Sequence, residues 1–389
     1  MRSEPALSEK ARLRALDFVG DLYAICLRSL ADPGRPLRWL ALVNPAAGGF
    51  SGRAWRKSTA TIEEVARDSW GNGIVRKDWS LAKTLARSGA PSDFAEVGAT
   101  PVEKRGDAGR IARLLVQEAL ESAGLPGDET LFLFVIIGGD GTSQEALSVL
   151  LEAPREARER IAVARLPMGT GNDGADSRDL AEALRLIYKP SRLELVPALS
   201  LAGAPGGPLS RRGALVGFNT ISLGLDAFVA RMTERTKKKL PGDFYKLWVD
   251  IAALFYDRLY KTGPLRVRAF DENGAPAAAL DEKLLLIAVG ASGRRTYGSG
   301  KNVLPDERNV CAIRQTNLSR KLALKRLLCD GLHADEPETI LFGARRIEIS
   351  GENPILAQAD GETLLIQKED FPLVITLSEP AIRAIRPEK

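Results

Sequence analysis

Three times in the first half of the chain, an apolar run of strand length ends in a glycine-bearing turn. Trp39-Leu40-Ala41-Leu42-Val43 leads into Asn44-Pro45-Ala46-Ala47-Gly48-Gly49. Leu131-Phe132-Leu133-Phe134-Val135-Ile136-Ile137 leads into Gly138-Gly139-Asp140-Gly141-Thr142, and the run 161–166 leads into Pro167-Met168-Gly169-Thr170-Gly171-Asn172-Asp173. Helical patterns follow the second and third turns, through Leu151 and over 178–187, and another helix is periodic over 107–122. The strands are apolar on both faces, as strands covered on both sides are. Strand, turn and helix in repetition predict a parallel α/β sheet. In such a sheet all three turns open on one edge, toward one crevice.

After Pro190 the pattern changes to strand-like segments at 193–201, 214–225, 265–271, 283–290, 310–316, 345–350 and 363–367, separated by Gly, Pro, Asn and Asp turns. Helices are expected near 243–258 and 319–330. This half reads as a mostly antiparallel, β-rich domain. Ahead of both lies an amphipathic helix over 7–30, with Leu13, Leu16, Val19, Leu22, Cys26 and Leu30 at helical steps, ended by Asp32-Pro33-Gly34. Residues 50–100 show little periodicity. The fold class is therefore α/β in two domains with a cleft between them: a helical extension 1–37, a nucleotide-type domain 38–190 and a β-rich domain 191–371.

Composition narrows the chemistry. Cys26, Cys311 and Cys329 are far apart, which gives neither a disulfide framework nor a zinc knuckle and fits a reducing cytoplasm. One histidine, His333, leaves almost nothing for a histidine metal cluster or a Ser-His-Asp triad. Acid–base work falls to carboxylates. A net charge of +5 over 389 residues is too diffuse for a nucleic-acid binder but permits an anionic ligand or membrane surface. No apolar run reaches the roughly 18 residues of a membrane span. Asp21 and Arg28 interrupt the stretch 17–30, which argues against a signal peptide.

In Gly138–Thr142, glycines let the backbone approach a phosphate, and the N–H groups of a helix start face the anion. Asp140 is placed to reach a magnesium ion bridging phosphates. A bare turn with an N-capping Asp140 or Thr142 explains the same residues, but three turns on one sheet edge favour the nucleotide. Gln358-Ala359-Asp360-Gly361-Glu362 follows a probable strand and a turn; a transfer of phosphate to an alcohol benefits from a carboxylate that takes the hydroxyl proton. Asp-Gly is also the commonest hairpin signal, and the residues alone favour the hairpin.

Together these motifs resemble the diacylglycerol kinase catalytic-domain family, which includes bacterial soluble diacylglycerol kinases, ceramide kinases and sphingosine kinases. The resemblance rests on Asn44–Gly48, Gly138–Thr142 with Glu145, and Pro167–Asp173. It extends to Glu103–Ala108, to Asn219–Ala227 and to His333 with Pro337 ahead of Arg345–Ile349, from about residue 38 to the C-terminus. It implies that Asn44, Pro45, Gly48, Gly49, Gly138, Gly139, Asp140, Gly141, Thr142, Glu145, Gly169, Thr170 and Asn172 hold ATP, with Mg²⁺ on Asp140. It implies that Asp360 and Glu362 activate the acceptor, Asp360 as base and Glu362 as helper or the reverse. It also implies that Leu373–Leu377, within 372–389, returns to the first domain. The sequence departs from the family where Asn172-Asp173-Gly174-Ala175-Asp176 lacks an aromatic, and where Leu304–Val310 lacks the Asp-Asp-Gly of a structural magnesium.

The implied activity is an ATP-dependent lipid kinase phosphorylating a hydroxyl of diacylglycerol or a related lipid, peripheral at the inner face of the membrane. Basic clusters at Arg53, Arg56 and Lys57, at Arg235, Lys237, Lys238 and Lys239, and at 320–326 would meet an anionic bilayer or are simply solvated faces. A homodimer stays open. Two other readings are a kinase of a soluble or sphingoid alcohol and a non-catalytic nucleotide- or lipid-binding regulator.

Overall fold

The computed structural model describes residues 9–29, 34–71, 92–169, 172, 177, 179–189, 191–237, 256, 260, 263–297 and 301–387. The chain forms two compact units, Met1–Val196 with Pro380–Lys389, and Pro197–Glu379.

In the first unit, strands β1 (Leu37–Val43), β2 (Ala99–Pro101), β3 (Leu131–Gly138), β4 (Ile161–Pro167), β5 (Ser191–Val196) and β20 (Ile382–Pro387) form a six-stranded sheet in the order β2-β1-β3-β4-β20-β5. Neighbours from β2 to β20 are parallel, and β5 closes the edge antiparallel. Every residue of β3 is buried, because helices cover the sheet on both sides. Side chains alternate in period two: Trp39, Ala41, Val43, Leu133, Val135 and Ile137 share one core with Phe18, Leu22, Ile62 and Leu184. Those last four belong to helices Glu9–Cys26, Gly52–Trp70 and Leu180–Tyr188.

The amino-terminal helix is shorter than the expected 7–30 and buries Ala15, Phe18, Val19, Leu22, Ile25 and Cys26. Leu13, which the spacing assigned to that stripe, is 55% exposed. Phe18 meets Phe50 edge to face at 5.7 Å, which ties the helix to the end of the first turn. Within 50–100, the weakly patterned stretch 52–70 is a full helix. Its buried stripe is Ser58, Ile62, Val65, Ala66 and Ser69, at helical spacing but mostly small or polar.

The second unit holds β6 (Leu199–Ala202), β7 (Leu215–Gly217), β8 (Thr220–Gly224), β9 (Leu265–Phe270), β10 (Pro276–Glu282), β11 (Leu284–Gly290), β12 (Arg295–Tyr297), β13 (Lys301–Leu304), β14 (Val310–Arg314), β15 (Thr339–Phe342), β16 (Arg346–Ser350), β17 (Ile355–Ala359), β18 (Glu362–Ile366) and β19 (Leu373–Leu377). Two six-stranded sheets, β10-β9-β16-β19-β6-β7 and β15-β14-β11-β8-β17-β18, pack face to face. Their shared core includes Val267, Ile347 and Ile375 from one sheet and Leu223, Ile287 and Ala357 from the other. Helices Leu225–Lys237 and Leu318–Asp330 cover the outer face of the second sheet through Phe228 and Leu324. The helix expected near 243–258 lies largely outside the described residues.

Three expectations are corrected. The strand read over 193–201 breaks at Pro197, which has no N–H to donate to a ladder, into β5 and β6 in different sheets. Leu373–Leu377 does not return to the first unit. It is β19, paired with β16 and β6, and it buries Leu373 and Ile375 in the sandwich core. The returning strand is β20, after Ser378-Glu379-Pro380. The strand read over 214–225 is interrupted at Phe218-Asn219. Strand β10 escaped notice because Ala, Asp and Glu on an exposed edge show no apolar alternation.

Candidate active site

The ends of β1, β3 and β4 bring the three glycine turns of the first unit into direct contact. Asn44 Nδ2 donates to Thr142 Oγ1 at 2.9 Å, while Asn44 Oδ1 accepts the Ala46 N–H at 3.0 Å. The Gly49 N–H donates to the Met168 carbonyl at 2.8 Å. The backbones are so close that a Cβ on Gly169 would stand 2.4 Å from Gly139 Cα, and one on Gly49 3.0 Å from the Met168 carbonyl oxygen. A Cβ on Gly138 would meet Thr142 at 2.9 Å. Only glycine permits this approach.

Helix Asp140–Glu152 starts at this junction. Its N-cap is Gly139, which has no side chain to cap the first turn, and the Ser143 N–H to Gly139 carbonyl bond at 3.1 Å closes that turn. The amide-rich, uncapped helix start suits an anion. Asp140, partly exposed, lies in the first turn. Asn172 adopts φ 58° and donates to the carbonyls of Pro167 (3.1 Å) and Gly169 (3.0 Å), which holds the third turn in shape. Its Oδ1 is buried without a partner, as is Thr100 Oγ1 on β2. These are acceptors that a nucleotide's hydroxyl or amino groups would satisfy. The residues present therefore fit a nucleotide.

Glu145 sits elsewhere in this arrangement. Its carboxylate accepts the Gly109 N–H at 3.2 Å and braces the start of the neighbouring helix, Asp107–Ala123. Thr170 lies outside the described residues. Among the described residues no group of three or more His, Cys, Asp or Glu could hold a metal unaided. Asp140 fits an ion whose remaining ligands are phosphate oxygens and water, the usual magnesium arrangement.

The segment 304–310 does not fit a structural metal. Asp306 already receives the Arg308 guanidinium on both oxygens, with Nε at 3.0 and 2.9 Å. Glu307 is taken by Arg294 Nε at 2.6 Å. The Arg308 hydrogen bond holds the Asp306 carboxyl below the usual carboxylate range. Two guanidinium groups occupy the charge that a cation would need.

In the second unit, Asp360 and Gly361 form a two-residue turn between β17 and β18, with φ 45° and 91° and Ala359 paired to Glu362. Positive φ at both central residues marks a type I′ hairpin. Although it sits in a hairpin turn, Asp360 is only 5% exposed. Its Oδ2 accepts the N–H groups of Phe218 (2.5 Å) and Asn219 (3.2 Å), and its Oδ1 those of Asn219 (3.0 Å) and Thr220 (2.9 Å). The break between β7 and β8 frees the Phe218 and Asn219 amides from ladder pairing, and Thr220 is the first residue of β8. Glu362, two residues on, is exposed.

Gln358, which opens the same motif and had no role of its own in it, is tied to this turn. Its Oε1 accepts the Gly361 N–H at 2.7 Å, and its Nε2 donates to Ser222 Oγ at 2.9 Å and to Asp226 Oδ2 at 3.1 Å. Of the basic clusters, Lys57 is exposed in the first turns of helix Gly52–Trp70. Lys237 ends helix Leu225–Lys237, Lys238 and Lys239 fall outside the described residues, and Arg53 is described for its backbone alone. Among the described residues no helix is long and apolar enough to cross a membrane.

Residues 71–192 match the family model of the diacylglycerol kinase catalytic domain. The chain is 26% identical over 263 residues to the "Probable lipid kinase YegS-like" protein of Enterobacter sp. (strain 638), covering 67% of this chain and 78% of the relative. Two solved structures from Bacillus anthracis str. Sterne, each of a protein proposed to be a diacylglycerol kinase, share the fold. One superposes with TM-score 0.52 at 20% identity over 90% of this chain and 96% of its own. The other gives 0.51 at 19% identity over 90% and 97%.

Proposed function

Because the chain belongs to the diacylglycerol kinase catalytic-domain family, a family of lipid kinases, we propose that it transfers the γ-phosphate of ATP to a hydroxyl of diacylglycerol or a related lipid. The observation that carries the nucleotide half is the junction of three glycine turns at the uncapped start of helix Asp140–Glu152. Backbone amides there would cradle the phosphates, and Asp140 would hold the accompanying Mg²⁺. When bound, that ion would neutralise charge on the phosphate oxygens.

On the acceptor side, both oxygens of Asp360 are already committed to backbone N–H groups, so Asp360 serves as the clamp that fixes the turn. Glu362 is the exposed carboxylate beside it and takes the proton-accepting role. As the acceptor oxygen bonds to phosphorus, the bond from phosphorus to the β–γ bridging oxygen breaks. ADP leaves, and the hydroxyl proton passes to Glu362. The lipid acceptor places the work at a bilayer, and Lys57 with the basic residues at 235–239 supplies the charge for peripheral docking to anionic lipid.

The test is phosphate transfer from γ-labelled ATP in mixed micelles to diacylglycerol, monoacylglycerol, ceramide and sphingosine, with Glu362→Gln alongside. A labelled lipid that disappears in the variant is the expected result. ATP binding with no labelled lipid would overturn the lipid-kinase reading. Docking is checked separately by sedimentation with anionic vesicles: binding should weaken as salt rises, and salt-independent binding would remove the basic clusters from the account.

A further inference from the structure

The hairpin that carries Asp360 and Glu362 is held from two sides. One side is the amide cluster of 218–220 on the Asp360 carboxylate. The other is a closed side-chain network under the turn. Ser222 Oγ donates to Asp226 Oδ2 at 2.6 Å, and the Gln358 amide donates to both Ser222 Oγ and Asp226 Oδ2. The Gln358 carbonyl oxygen then has one donor, the Gly361 N–H at 2.7 Å. Gln358 is 3% exposed, so an unmade bond would not be replaced by water.

The orientation of this amide is chemically fixed. The Gly361 N–H can only donate, so the Gln358 carbonyl oxygen must face it, and as a carboxylate Asp226 can only accept, so the NH₂ of Gln358 faces Asp226. Burial pushes the Asp226 carboxyl up from its ordinary range, while Ser222, Lys301 and Gln358 favour its charged form. An inverted amide would face Asp226 with an oxygen and Gly361 with a hydrogen. Asp226 thereby sets which way Gln358 points, and Gln358 sets the turn from which Glu362 emerges.

We propose that Gln358, oriented by Asp226 and Ser222, is a positioning residue for the acceptor-activating turn, fixing Glu362 through the Gly361 N–H. This rests on the reading of Asp360-Gly361-Glu362 as the acceptor-activating segment. It predicts that Gln358 governs turnover while leaving nucleotide affinity in the first unit alone. Misplacing a reacting group by about 1 Å can lower the rate about 10²-fold.

The experiment is a donor–acceptor swap with full-length protein. Gln358→Glu keeps an acceptor for Gly361 but removes the donor and sets a second carboxylate against Asp226. It should lower kcat about 10²-fold with KM for ATP unchanged. Adding Asp226→Asn returns a donor to the pair in reversed sense and should recover most of the lost kcat. In Gln358→Leu the Gly361 amide should lose its protection from hydrogen exchange, a readout independent of any substrate. Wild-type kcat in Gln358→Glu, failure of the swap to rescue it, or unchanged Gly361 exchange would each overturn the proposal. Full activity in Glu362→Gln would instead overturn the underlying reading, and the Gly361 exchange result would still judge Gln358.

Discussion

Gly169 and Gly139 touch backbone to backbone: a methyl group on Gly169 would stand 2.4 Å from Gly139 Cα and 2.9 Å from Asn172 Oδ1. Gly139 Cα is backbone, and the Asn172 side chain is held by its bonds to the Pro167 and Gly169 carbonyls, so the turns must part to admit it. Overpacking of this kind costs about 1–3 kcal/mol. Gly169→Ala should therefore lower ATP affinity by about 5- to 150-fold while the β-rich unit keeps its own core. Calorimetric titration with ATP checks this, and unchanged affinity would separate the Gly139–Gly169 contact from nucleotide binding.

Asp360 and Glu362 should behave differently although they are two residues apart. Asp360→Ala strands three amides in a site 5% exposed, and each unsatisfied group costs about 1–3 kcal/mol. Its thermal midpoint should fall sharply along with turnover. Glu362→Gln alters an exposed group, so stability should stay within about 0.5 kcal/mol of the parent while turnover is lost. Melting curves beside transfer assays separate the two; equal destabilisation would contradict the clamp.

Asp140→Asn preserves shape and removes charge at the start of helix Asp140–Glu152. ATP should bind the variant equally with and without magnesium, whereas the parent should gain affinity from the ion. Transfer should fall about 10²-fold, the scale of losing one charge-stabilising group. A variant that still gains affinity from magnesium would remove Asp140 from the metal's coordination.

His333 gives the protein a single-residue pH dependence. It is fully buried, Nε2 contacts the Val303 carbonyl at 3.2 Å, and Nδ1 has no partner. Burial lowers its pKa in the fold, so between the folded and unfolded values the unfolded chain binds the extra proton. Stability is then complete above the ordinary imidazole value of about 6.5 and declines as pH falls below it. With one histidine in the chain, a neutral replacement such as His333→Gln should flatten the slope of thermal midpoint between pH 7 and 5.5. An unchanged slope would assign it to carboxylates.

Arg308 occupies both carboxylate oxygens of Asp306. Chelation with EDTA in the absence of nucleotide should leave the thermal midpoint of the β-rich unit unmoved. Arg308→Ala should lower it, because the Asp306 charge loses its partner. A midpoint that drops on chelation would show that a metal is held after all.

The parallel sheet and its three turns were legible in the sequence because each is a local pattern. A fully apolar strand, a glycine where backbone approaches backbone, and a helix start are written in consecutive residues such as Ile137-Gly138-Gly139-Asp140. Helix Gly52–Trp70 was not legible, since Ser58, Ala66 and Ser69 acquire a buried face only once the sheet and the Phe18 helix lie against them. The return was expected of Leu373–Leu377 and is made by β20, because both segments read as short strands and only long-range pairing tells them apart. The hairpin at Asp360-Gly361 was legible from its residues, but the different surroundings of its two carboxylates were not. Phe218 and Gln358 stand 142 and two residues from Asp360, respectively, and no spacing rule links them. Sequence fixes which groups exist and which local shape they prefer. Which carboxylate is filled by amides and which stays open depends on strands far apart in the chain meeting in one sheet, and only the tertiary structure decides that.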